Sequence, residues 1–74
     1  MTEQEACAAI VRWAKRYYSP EIDDPTPDVN VVSITHDANE DEWIAELEVS
    51  SCADNPFVTF WLEENRLHIE NIEY

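Results

Sequence analysis

The hydrophobic period of this chain changes once, and that change limits what it can fold into. Up to residue 18 the apolar residues recur at helical spacing, and from residue 29 onward they alternate. Between the two lies SPEIDDPTPD, residues 19–28, with three of the four prolines and four acids. Neither period can run through such a stretch, so an extended surface crossover is expected there. A chain of 74 residues has room for one core and no second one. The expected architecture is therefore α+β: an N-terminal amphipathic helix packed on a four-stranded antiparallel β-meander, forming a single small acidic domain over residues 1–74.

Thr2 and Glu5 make the T-x-x-E capping box of a helix start, and Pro20 ends the helix. On a helical wheel Ala6, Cys7, Ala9, Ile10, Val11, Trp13, Ala14, Tyr17 and Tyr18 share one wide arc, with Trp13 expected as its main core anchor. Gln4, Glu5, Ala8, Arg12, Lys15 and Arg16 fill the other side. Strands are expected at 29–35, 42–49, 56–62 and 66–74. The second alternates most cleanly, with Trp43, Ala45, Leu47 and Val49 on one face and Ile44, Glu46, Glu48 and Ser50 on the other. The last changes phase between Ile69 and Ile72, which predicts a β-bulge or a frayed end. The chain has no glycine, so positive φ in the turns is expected at Asn39, Asn55 and Asn65.

The third strand, PFVTFWL, has no polar side: Phe57, Thr59 and Trp61 lie on one face and Val58, Phe60 and Leu62 on the other. One helix covers one face of a sheet. The remaining apolar set is either covered by the crossover within the monomer, or buried in a homodimer, or held at a partner site.

Charge is distributed as unevenly as period. Of the net −13, the first eighteen residues contribute +1, from Arg12, Lys15 and Arg16 against Glu3 and Glu5, and the remainder carries −14 with Arg66 as its one strong base. Such a field repels nucleic acid and anionic membranes and attracts basic partners. A disordered acidic tail is excluded by the 45% of hydrophobic residues. The N-terminus, MTEQEAC, has no basic stretch before an apolar core and no apolar run approaches a bilayer span, so a cytoplasmic protein is expected. Cys7 and Cys52 fit no metal spacing and are expected as reduced thiols.

Specific chemistry finds little support. Asp37, Asn39, Asp41 and Glu48 match an EF-hand count, but Glu42 stands where the loop needs its glycine and the flanks read as strands. His36 at a strand end and His68 in the last strand beside Glu70 could serve as a general base or half a metal site but read as ordinary strand residues, and Cys52 near Ser50, Ser51 and Asp54 has no base that the sequence places beside it. No catalytic residue, cofactor or metal site is therefore assigned.

The outline of a helix followed by a meander is similar to cystatin-like and other small α+β folds. Size and composition resemble the small acidic inhibitors that phages and bacteria direct at nucleic-acid enzymes, among them anti-restriction, anti-CRISPR and nuclease-immunity proteins. That resemblance implies a non-enzymatic module that docks on the basic surface of a nucleic-acid-acting protein. The expected contact residues are Asp37, Glu40, Asp41 and Glu42 in the first hairpin, Glu46 and Glu48 on the wet face of the second strand, and Asp23, Asp24 and Asp28 in the crossover. Phe57, Phe60 or Trp61 is the expected apolar anchor. The alternative is a scaffold module that dimerises through its exposed sheet face, its acidity reflecting solubility or a saline habitat.

Overall fold

The computed structural model of the chain describes residues 2–19 and 26–74. Helix α1 spans Glu3–Tyr17, and four strands follow, β1 (Val29–Asp37), β2 (Glu42–Val49), β3 (Phe57–Glu63) and β4 (Arg66–Glu73). All neighbours pair antiparallel in the order β1-β2-β3-β4, so the meander and the α+β class are both present.

The helix begins where its capping residues require. Thr2 is extended (φ −90°, ψ 158°), and its side-chain oxygen accepts from the Glu5 amide at 3.1 Å while its hydroxyl donates to the Glu5 carboxylate at 3.2 Å. Glu3 and Glu5 in the first turn and Lys15 and Arg16 in the last complement the helix dipole. The buried stripe is narrower than the apolar arc: only Ala6, Ile10 and Ala14 are fully enclosed. Small residues above and below Ile10 let the helix sit close to the sheet. Trp13, the expected main anchor, is instead half-buried at the rim, stacked on the exposed Tyr17 ring at 4.7 Å.

Two bulges set the sheet's phase. In β1, Val29 and Val31 lie opposite Val49 and Leu47, but an extra residue at Val32 shifts the register, so that Ile34 meets Ala45 and His36 meets Trp43. Strict alternation from Val29 would have turned Ser33 and Thr35 inward; the bulge turns Ile34 inward instead and leaves Val32 exposed. In β4, Phe60 pairs with Ile69 and Val58 with Ile72, the extra residue falling at Glu70. This is the bulge expected between Ile69 and Ile72, and it places both isoleucines against the core.

The turns correct the asparagine expectation. Positive φ occurs at Asp41 (53°), Glu64 (53°) and Asn65 (63°), and not at Asn39 or Asn55. Glu64 and Asn65 form the two-residue connection between the Glu63 and Arg66 pair, where two positive φ values match the twist of the hairpin. In the first hairpin the Asp37 carboxylate accepts from the amides of Asn39 (3.0 Å) and Glu40 (3.4 Å), and Asp41, bonded to His36 at 3.1 Å, takes the left-handed position.

The inner face of the sheet carries the core: Ala45, Leu47, Val58 and Phe60 are fully enclosed with Ile10, and Leu62, Leu67, Ile69 and Ile72 pack around them. The two sides of the third strand therefore separate. Val58 and Phe60 face the helix, while Phe57 remains 45% exposed on the outer face; most of the crossover expected to cover that face, residues 20–25, lies outside the described residues.

Candidate functional site

The outer face of the sheet is the largest surface built from the residues that the sequence singles out. Strand β2 contributes Glu42, Ile44, Glu46 and Glu48, the half of its alternation opposite the buried Trp43, Ala45, Leu47 and Val49. Register continues this surface across the sheet. Glu46 lies opposite Phe57, and Phe57 opposite Glu73; the next row is Ile44, Thr59 and Asn71. Apolar side chains thus stand among carboxylates, with Ile44 40% and Phe57 45% exposed. Further along β3 the half-buried Trp61 stacks on His68 of β4, ring centroids 5.1 Å apart and planes 10° apart.

Some of these carboxylates are held in place. Glu46 accepts from the Asn55 side-chain amide at 3.0 Å, and Glu73 from that of Asn71 at 2.9 Å. Glu42 and Glu70 approach closely enough to hydrogen-bond, and this bond, helped by partial desolvation and by the negative charges of Glu70, Glu40 and Asp37, raises the Glu42 carboxyl to about 7. Crowding of like charge is the physical cause: two neighbouring carboxylates are more stable when one keeps its proton. Around this pair Glu40, Asp41, Trp61 and Glu63 line an open depression of about 460 Å³.

Not every expected contact residue belongs to this face. Phe60 is corrected: it is fully buried against the helix and cannot reach a partner, because β3 alternates and its outward aromatics are Phe57 and Trp61. Asp37 and Asp41 lie in the first hairpin with Glu40, but each has a structural task, the first closing the loop and the second bonding His36. Glu48 keeps to the outer face but lies at its far end, opposite Asn30 and toward Asp28, whose amide donates to the Ser50 hydroxyl at 3.0 Å and whose carbonyl accepts from the Ser50 amide at 3.0 Å. Asp23 and Asp24 lie outside the described residues. Glu70 and Glu73 join the face although the sequence does not single them out, since the β4 bulge hides their phase; acids on the polar side of a strand are the available signal.

The other candidate chemistry is dispersed. His36 is on the inner side against Trp43, centroids 4.5 Å apart, whereas His68 is on the outer side. Glu48 is six positions along β2 from Glu42, about 20 Å at strand rise, well away from the Asp37 loop. Among the described residues no group of three or more His, Cys, Asp or Glu side chains is arranged to hold a metal ion. Cys7 and Cys52 are free thiols, and burial, aided by the charge of Glu3, pushes the Cys7 thiol up. Among the described residues no helix is long and apolar enough to cross a membrane.

The sole acid–base contact within ion-pair distance among the described residues is His36 with Asp41 at 3.1 Å, so the carboxylates of the outer face lack counter-charge within the described fold. No family model, curated protein or solved structure matches the chain.

Proposed function

We propose that the protein is a non-enzymatic binding module whose outer sheet face docks on a basic protein surface, with the basic channel of a nucleic-acid-acting protein as the fitting target. The observation that carries this reading is the outer face itself: Glu42, Glu46, Glu70 and Glu73 stand on a rigid antiparallel sheet with Ile44, Phe57 and Trp61 among them. Carboxylates held on a sheet offer a cationic groove what a phosphate backbone offers it, and the counterions released on binding favour the complex. Phe57, and Trp61 four residues further along the same face of β3, supply the apolar contact that gives such a complex its lifetime.

Capture from a host lysate on the immobilised protein tests this. A nucleic-acid-binding protein should be retained, eluted by a salt gradient and displaced by duplex DNA. Retention that DNA does not compete, or that persists on a variant with Glu42, Glu48, Glu70 and Glu73 changed to Lys, would contradict it.

A further inference from the structure

On the opposite side of the molecule, α1 lies chiefly over β1 and leaves part of the inner face open toward the β3–β4 hairpin. The result is a groove of about 1060 Å³. One wall is the helix flank, with Glu5 toward its N-terminal end and Arg12 and Arg16 further along; the other carries Glu64 and Asp41 at the two hairpin turns. Its floor is apolar, formed by Trp13, Trp43, Leu62 and Leu67, of which Trp13, Leu62 and Leu67 are only half-buried.

We propose that this groove receives helix α1 of a second copy of the chain, giving a two-fold dimer in which each helix covers the half of the sheet that its partner leaves open. Three observations favour a second copy over any other occupant. First, the groove is self-complementary: a two-fold axis through it brings the arginine wall of each copy against the carboxylate wall of the other, as an isologous interface requires. Neither Arg12 nor Arg16 forms an ion pair among the described residues, so both are available.

Second, the helix is the one region with a positive balance in a chain of net charge −13. Two copies meeting through their sheets would set carboxylate on carboxylate, whereas meeting through their helices puts each acidic face on the outside. Third, Ala8 and Ala9 line the groove on the helix side. Small side chains there let two helix backbones approach closely while the half-buried indole of Trp13 and the leucines become enclosed. The dimer leaves the outer acidic faces free and does not depend on their function.

Sedimentation equilibrium of the purified chain, at physiological ionic strength and over a range of concentrations, tests the proposal. The parent should be a concentration-dependent dimer. Arg16→Glu should weaken it by about tenfold or more, the effect of roughly 1.4 kcal/mol. Lys15→Glu changes the net charge equally but lies outside the groove lining, and should shift the dimer constant by less than about twofold. Adding Glu64→Arg to Arg16→Glu should recover most of the loss by restoring the pair with reversed sign. All three side chains are exposed, and circular dichroism checks that each variant folds. A parent that stays monomeric throughout, equal effects of the Lys15 and Arg16 changes, or no recovery in the swapped variant would overturn the proposal.

Discussion

At the scale of single residues, the Glu42 and Glu70 pair has a consequence for stability. The hydrogen bond with Glu70, followed by desolvation and neighbouring negative charge, raises Glu42 from 4.5 to about 7. A raised carboxyl binds its proton more tightly when folded than when unfolded. Between 4.5 and about 7 the folded state therefore holds more protons, and its stability falls as pH rises through that window. Glu42→Gln removes the titration, so its melting temperature should vary less with pH there and should exceed the parent's above the window. Equal slopes for parent and variant in a pH series of thermal melts would contradict this. The aromatic residues give a second contrast. Phe60 is fully buried and Trp13 half-buried at the rim, so Phe60→Ala should cost about 3–5 kcal/mol and Trp13→Ala about half as much. Urea denaturation midpoints measure both, and an equal loss would place Trp13 deeper than its packing indicates.

At the scale of elements, hydrophobic period and capping chemistry make much of the fold legible. Thr2 and Glu5 mark the start of the helix, and the alternation of β2 from Trp43 to Val49 identifies its buried face without ambiguity. The phase of β1 is not legible in the same way. Val31, Val32, Ser33 and Ile34 satisfy either of two registers, and only pairing with Leu47 and Ala45 decides between them. The aromatic face of β3 is open for the same reason, since PFVTFWL is apolar on both sides and helix coverage alone distinguishes Phe60 from Phe57. Local preference assigns positive φ to asparagine. The hairpins impose it on Asp41 and Glu64 through loop length and strand twist, which outweigh the preference of a single residue. Glu64 adopts φ 53° without the local stabilisation that asparagine has in this region. Glu64→Asn, measured in dilute solution, should therefore raise stability by a few tenths to about 1 kcal/mol. A lower melting temperature for that variant would argue that the Glu64 side chain contributes more to the hairpin than its backbone costs.

At the scale of the whole molecule, the electrostatic field of the acidic residues outweighs any single contact. With net charge −13, and His36 with Asp41 the sole acid–base contact within ion-pair distance among the described residues, added NaCl should screen internal repulsion and raise the melting temperature. Calcium at equal ionic strength should add little, because Glu48 stands far along β2 from the Asp37 loop. A flat or falling melting temperature with NaCl would contradict the repulsion, and a large calcium-specific rise would point to a bound ion. In the proposed complex the outer sheet face would turn the same field toward a partner, and the two kinds of side chain on it should act on different rates. Carboxylates would steer that encounter, whereas Phe57 would hold the complex together once formed. The most direct test is the association rate with the captured partner as a function of ionic strength, for the parent, for the variant with Glu42, Glu48, Glu70 and Glu73 changed to Lys, and for Phe57→Ala. The lysine variant should associate more slowly with a flattened salt dependence, and Phe57→Ala should dissociate faster with its association rate unchanged. A folded lysine variant that keeps the parent's association rate and salt slope would contradict docking through the acidic face.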